Sequence, residues 1–329
     1  MRIVLDAMGT DGAPETEVAG AIKSLRELED DFEIVLVGDQ AALKAELARQ
    51  SDFPRQRLHI EHAPDRVLPG EAPASVLRKH PDSSIVRGLR LHQEGQAHAF
   101  VSAGSTGAVM AASLFILRPL EGVGRPAIGT MVPTAKDPVL LIDAGANVDC
   151  KPQHLVQFAH LGRIYAQDLM GRENPRIGLL NIGEEAEKGD ELTVEAHQRL
   201  ARDPGLNFVG NIEGREIIRG TCDVLVCDGF AGNVLLKFYE SVAQFIVRYL
   251  RQALQRAGQE PDLGEALRVL DYSEYGGAPL LGVNGVCIIC HGGSSPKAIK
   301  NAIRVAAQAV RSSMVEHVAR ELAATRETV

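Results

Sequence analysis

A chain of 329 residues can bury a real core as one large domain or two modest ones. Its net charge of −8, and an aromatic content of 4% without tryptophan, argue against nucleic acid as a partner, because backbone binding needs clustered Lys and Arg and base stacking needs aromatic platforms. No apolar run approaches the roughly 20 residues that span a bilayer, and the first residues read as a strand without a leader pattern, so a soluble, cytoplasmic protein is expected.

In chain order, Arg2–Asp6 reads as a strand leading into the polar, flexible loop Ala7–Pro14, followed by a helix from about Glu15 to Leu28. A strand at Glu33–Gly38, a helix at Gln40–Arg49 and a strand at Leu58–Glu61 precede the loop-rich segment Pro64–Pro81. Ser83–Gln93 returns to helix and Ala97–Ser102 to strand. A helix-forming run, Ala108–Leu117, opens right after the small-residue loop Ala103–Gly107. Ala127–Val132 and Val139–Asp143 read as a hairpin around Pro133–Pro138, and Pro152–Met170 as a long helix with proline in its first turn. Strand Arg176–Asn181, helix Asp190–Arg202, strand Asn207–Gly210, strand Val224–Asp228 and a helix from about Gly232 to Ala257 follow. The last strand is Gly285–Cys290, and a single helix from about Pro296 to Ala324 closes the chain. Strands alternating with helices, with neither repeat nor linker, imply one α/β domain over residues 1–329 with a largely parallel sheet covered on both faces.

Polar residues follow strand after strand: Asp6, Ser102, Asp143, Asn181, Asp228 and His291, mostly entering glycine-containing loops. In open α/β sheets the ligand lies outside the carboxyl ends of the strands, so these residues are expected to converge on one crevice. The loop Ser102-Ala103-Gly104-Ser105-Thr106-Gly107 is the sharpest instance. Its glycines let backbone approach a ligand, and Ser105 and Thr106 either cap the next helix or bond phosphate oxygens. Asp228-Gly229-Phe230-Ala231-Gly232-Asn233 repeats that logic, with Asn233 near a helix N-terminus.

No Gly-x-Ser-x-Gly elbow, zinc spacing or Walker loop is present, which points to anion binding and positioning without a covalent intermediate. Cys287 and Cys290 sit three apart on an apolar strand and face opposite ways, so the five cysteines read as free thiols with no metal site and no redox pair. Lys188, alone among five acidic residues between Asn181 and Glu191, is either a solvated loop charge or a cation offered to an anionic transition state. Lys297 and Lys300 fall in the first turns of the last helix, where the macrodipole disfavours cations and a bound anion would offset it. His291 is an acid–base candidate, and the glycine-dense segment Asp271–Gly285 adds Asn284.

Seven motifs then carry a resemblance over nearly the whole chain. They are Ile3-Val4-Leu5-Asp6-Ala7-Met8-Gly9, Ser102–Ala108, Asp143-Ala144-Gly145-Ala146-Asn147-Val148-Asp149, Gly178–Glu185, Cys227–Asn233, Asp271–Gly277 and Lys297–Ala302. In this order they resemble the bacterial acyl-acyl-carrier-protein:phosphate acyltransferases. The resemblance implies a three-layer Rossmann-like fold, similar to phosphotransacetylases and isocitrate-type dehydrogenases, and a homodimer. It implies that inorganic phosphate attacks the thioester of a fatty acyl–carrier protein, giving acyl phosphate for a membrane glycerol-3-phosphate acyltransferase. No cofactor or metal is implied. Lys188 and Asn233 are expected to act on the transition state and His291 to carry a proton. Binding of phosphate and substrate is expected from Asp6, Gly9, Ser102, Gly104, Ser105, Thr106, Gly107, Asp143, Asn147, Asn181, Glu184, Asp228, Asn284 and Lys297. Other readings are a phosphotransacetylase-like enzyme using acyl-coenzyme A and a non-catalytic scaffold for membrane acyltransferases.

Val234–Ala257 carries an apolar stripe from Leu235 to Leu254 and would extend about 35 Å as a helix. Residues 232–270 are therefore expected to project as a helical dimerisation element. Its tip, Gly258–Gly264, is polar and acidic, which argues against membrane docking there and leaves peripheral contact elsewhere open.

Overall fold

In a computed structural model, which describes residues 1–29, 31–68, 70–256 and 272–327, the apolar runs form strands flanked by helices. The chain divides into two compact units, Met1–Ile128 with Ile164–Glu173 and Tyr275–Val329, and Gly129–Arg163 with Asn174–Glu274.

In the first unit β1 (Arg2–Asp6), β2 (Glu33–Gly38), β3 (Leu58–His62) and β4 (Ala99–Ser102) are parallel, in the order β3-β2-β1-β4. Beside β4 the order continues through the strand Val286–Ile289, parallel to it, and Ala278–Leu281, antiparallel. β1 and β4 are buried on both faces, as parallel strands covered by helices require. Between them run α1 (Glu15–Glu27), α2 (Gln40–Ala48), α3 (Val76–Lys79) and α4 (Ser84–Gln93), and α5 (Thr106–Ile116) follows β4. The hydroxyl of Ser83 caps α4 by accepting from the Val86 N–H, and Asp39 caps α2 through Ala42.

The second unit holds the part of β5 (Ala127–Val132) from Gly129 onward, antiparallel to β6 (Val139–Ile142), as the hairpin reading expects. Beside β6 stand β9 (Val224–Val226), β7 (Arg176–Asn181) and β8 (Asn207–Glu213), all parallel. The long helix α6 (Pro152–Met170) has the predicted ends, α7 (Glu191–Ala201) is capped by Asp190, and α8 (Gly214–Ile217) precedes the 28-residue α9 (Gly229–Arg256).

Some expectations change. The strand Ala278–Leu281, henceforth β10, lies within the glycine-dense segment. Four residues including Pro279 leave no periodic signal there. Val286–Ile289 is β11. The predicted last helix is two, Pro296–Arg311 and Met314–Glu327, because Ser313 takes a left-handed φ of 52° and the Ser312 hydroxyl bonds the Ala309 carbonyl. The part of the expected 232–270 element beyond Arg256, its tip Gly258–Gly264 included, lies outside the described residues.

Candidate functional site

In the first unit, registers Leu5↔Val101 and Val101↔Ile288 align β1, β4 and β11, so Asp6, Ser102 and the turn at His291 share the carboxyl edge. The Ser102 hydroxyl donates to Asp6 Oδ2 at 2.6 Å and accepts from the Gly104 N–H at 3.0 Å, while the Met8 N–H donates to Asp6 Oδ1. Burial raises the Asp6 carboxyl above its ordinary range, against the lowering pull of Ser102, Ser84, Met8 and Arg66. Gly9 has a steric reason: a Cβ there would sit 2.6 Å from the Gly104 nitrogen. Ser105 occupies the N-cap of α5 and makes no capping bond with its side chain, Thr106 is exposed, and Gly107 rides against Pro73. The first turn of α5 therefore keeps backbone donors available for an anion.

Beneath this loop lies a cluster that the sequence reading missed. Thr10, within the segment expected to be flexible, is buried. Its N–H donates to Glu17 Oε1 at 2.6 Å, and its hydroxyl bonds Oε2 at 2.9 Å. Its carbonyl accepts from Arg66 Nη2 at 2.8 Å. Burial, with a smaller push from Asp6, raises Glu17 to about 7 against the lowering pull of the two Thr10 bonds. A Glu in the first turn of a helix, beside Glu15, reads as an ordinary charge near the helix N-terminus and gives no hint that it faces inward.

His291 is exposed, and Lys297 is half-buried in the first turn of Pro296–Arg311. Lys300 does not await an anion: its ammonium pairs with Glu27 of α1 at 2.9 Å, and that carboxylate supplies the offsetting charge. Asn284 is not brought to this edge. It precedes β11, which runs parallel to β4, so it lies at the strands' opposite end, exposed, with its N–H on the Arg118 carbonyl.

In the second unit, registers Ile142↔Val226 and Leu179↔Val226 bring Asp143, Asn181 and Asp228 to one edge. Asp143 organises its own loop: Oδ1 accepts from the N–H groups of Gly145 and Ala146, and Oδ2 accepts from the N–H and side-chain amide of Asn147. The start of α9 packs against that loop so closely that a Cβ at Gly232 would collide with the Asp143 carbonyl oxygen. Asp228 caps α9, accepting from Phe230 and Ala231 N–H groups. Asn233 is thereby moved from the predicted helix end into the second turn, exposed and alongside Gly145, whose φ of 136° admits no side chain.

Asn181 clasps the loop after β7. Its amide donates to the Lys188 carbonyl at 2.9 Å, its Oδ1 accepts from Ile182, and Asn211 donates to the Glu185 carbonyl at 2.7 Å. The stem of Lys188 runs over Gly183, and among the described residues its exposed ammonium forms no ion pair. Glu184 is exposed and lies 3.5 Å from Arg215. Burial pushes the Cys222, Cys287 and Cys290 thiols up to about 12 and Cys227 well above its usual value, so none is poised as a thiolate nucleophile. Among the described residues no helix is long and apolar enough to cross a membrane.

Residues 1–317 match the model of a family described as fatty acid synthesis protein. A phosphate acyltransferase from Desulforamulus reducens is 51% identical over 322 residues, covering 96% of this chain and 95% of that protein. One from Heliobacterium modesticaldum is 50% identical, covering 96% of each. A phosphotransacetylase structure from Streptococcus pyogenes aligns with a TM-score of 0.63 at 18% identity, covering 94% of both chains. One from Staphylococcus aureus aligns at 0.60, also at 18% and 94% of both. At that identity the likeness establishes the fold, a mostly parallel α/β architecture shared with phosphotransacetylases. Half-identity over nearly the whole length establishes more: the chain is an acyltransferase belonging to the phosphate acyltransferase family.

Proposed function

We propose that this enzyme transfers a fatty acyl group from acyl carrier protein to inorganic phosphate, in the cytoplasm. A phosphate oxygen attacks the thioester carbonyl carbon, a tetrahedral oxyanion forms, and collapse breaks the C–S bond. Acyl phosphate leaves, and the carrier thiolate takes up a proton, for which His291 is the candidate donor. The observation that carries this reading is the Asp6–Ser102–Gly104 arrangement, which sets the α5 N-terminus as an anion cradle without a side-chain cap. Phosphate is itself the nucleophile, consistent with buried, protonated thiols. In this reading Ser102–Gly107 binds phosphate, while Lys188 and Asn233 stabilise the oxyanion. Asp143, Asn181 and Asp228 support those residues through their loops. A membrane glycerol-3-phosphate acyltransferase is the proposed consumer of the product.

Labelled phosphate offered with acyl–carrier protein or acyl-coenzyme A separates the donors. Acyl phosphate is expected from the carrier protein at the higher kcat/KM. A preference for coenzyme A would move the enzyme to phosphotransacetylase-like chemistry.

A homodimer through α9 belongs to the same proposal. Phe230, Phe238, Phe245 and Tyr249 are 62–68% exposed on this helix, which at 28 residues is about 40 Å long. Its inner side is fastened by the Tyr239 hydroxyl on the Pro133 carbonyl and by buried Ala243. So large an exposed apolar stripe calls for a partner, and a second copy is the simplest one. Phe245→Asp with Leu250→Asp is expected to weaken self-association about hundredfold, seen as monomers or aggregates by light scattering. A folded dimer of that variant would refute the assignment.

A further inference from the structure

The contacts of Glu17 lead step by step to the proposed phosphate loop. Both of its carboxyl oxygens bond Thr10, the neighbouring Gly9 packs on the Ala103–Gly104 backbone, and the Gly104 N–H bonds Ser102. On the far side, Arg66 holds the Thr10 carbonyl, and its buried Nε has no hydrogen-bond partner among the described residues. Glu17 itself is buried, so neither partner exchanges freely for water.

We propose that Glu17 is a positioning residue for phosphate binding: through Thr10 and Gly9 it holds the Ala103–Gly107 loop in place, and its ionisation weakens phosphate binding. The proposal rests on reading that loop as the phosphate site.

The sign follows from the charge that ionisation buries. Thr10 donates both bonds, its N–H to Oε1 and its hydroxyl to Oε2, and both favour the carboxylate, against the burial that holds Glu17 neutral. Ionisation adds a buried negative charge beside Asp6 and beneath an anion site. Of the groups on elements around α1, β1 supplies Asp6, the segment after β3 Arg66, and the end of β11 Cys290, whose thiol burial keeps neutral up to about 12. The helix Pro296–Arg311 supplies Lys297 and Lys300, the latter paired with Glu27, and α2 supplies exposed Lys44 and buried Glu46, which bonds Arg49. With Glu17 titrating near 7, phosphate binds best below that pH and weakens above it.

The test measures kcat and phosphate KM of the full-length enzyme with acyl–carrier protein between pH 6 and pH 8. Glu17→Ala is expected to raise phosphate KM about 10²-fold, the scale of a misplaced binding loop, with kcat changing less. Glu17→Gln reproduces the acceptor and donor of the neutral acid and is expected within about threefold of wild type at pH 6. The ratio of wild-type to Glu17→Gln KM is expected to climb about tenfold from pH 6 to pH 8, the titration of phosphate itself cancelling. Should the alanine variant fail to fold, Thr10→Val removes only the hydroxyl contact and is expected to raise KM about fivefold. A folded Glu17→Ala or Thr10→Val enzyme with wild-type phosphate KM, or a flat pH ratio, would overturn the proposal. Ser102→Ala and Thr106→Ala separate the two layers. If they raise phosphate KM while the Glu17 and Thr10 variants do not, only the positioning role fails. If they too leave it unchanged, the phosphate-loop reading fails with it.

Discussion

Lys188→Ala is expected to lower turnover about 10²–10³-fold while leaving the fold intact, the usual cost of losing one pre-organised oxyanion donor. The loop that carries Lys188 is fixed rather than loose: Asn181 and Asn211 hold the carbonyls of Lys188 and Glu185, and the lysine stem lies over Gly183. A merely solvating lysine needs no such clasp, and here acidic neighbours surround an ammonium that is paired with none of the described residues. Because the side chain is exposed, its removal leaves no buried group unsatisfied, so thermal unfolding should be unchanged. Asn233→Ala is expected to behave alike, since Asp228 already supplies the cap of α9. The check is steady-state kinetics beside circular dichroism. Near-wild-type turnover in both variants would return these residues to an ordinary charged surface.

Asp143→Ala is expected to destabilise the protein by about 4 kcal/mol. Its carboxyl gathers three backbone N–H groups and the Asn147 amide at 2.7–3.1 Å. Hydrogen bonds to a charged acceptor contribute about 1.5–3 kcal/mol each, and the half-buried donors recover part of that from water. The loop cannot relax outward, because the glycines of α9 abut it: a Cβ on Gly229 would lie 2.7 Å from the Asn147 nitrogen. Asp143→Asn, which keeps one acceptor oxygen, should lose about half as much. Denaturant titration decides: a loss below about 1 kcal/mol for the alanine variant would show that the carboxylate does not organise this loop.

How legible the molecule was in its sequence depended on the range of the interaction. The strands β1, β2, β4 and β7 are short apolar runs ending in a polar residue or glycine, and their ends could be read directly. The two compact units could not, because the passages between them fall inside elements, at Ile128–Gly129 in β5 and Arg163–Ile164 in α6, where no linker composition marks them. Strand-end logic found Asp6, Ser102, Asp143, Asn181 and Asp228. Asn284, named from the glycine-dense segment, precedes β11 and so stands at the opposite end of the strands from Asp6 and Ser102. The macrodipole argument left Lys300 with an uncompensated charge because Glu27 is distant in sequence. Glu17 and Arg66 escaped for the same reason: their role exists only where three separate segments meet around Thr10.

The central claim is that a phosphate oxygen attacks the acyl carbon and becomes the bridging oxygen of the product, and oxygen labelling tests it most simply. The enzyme is incubated with a fatty acyl–carrier protein and phosphate carrying 18O at all four positions, and the product is weighed by mass spectrometry. Acyl phosphate retaining all four labelled oxygens, with free carrier protein released in equal amount, is the expected result. Acyl phosphate with only three labelled oxygens, or released carrier protein with no acyl phosphate, would contradict the account.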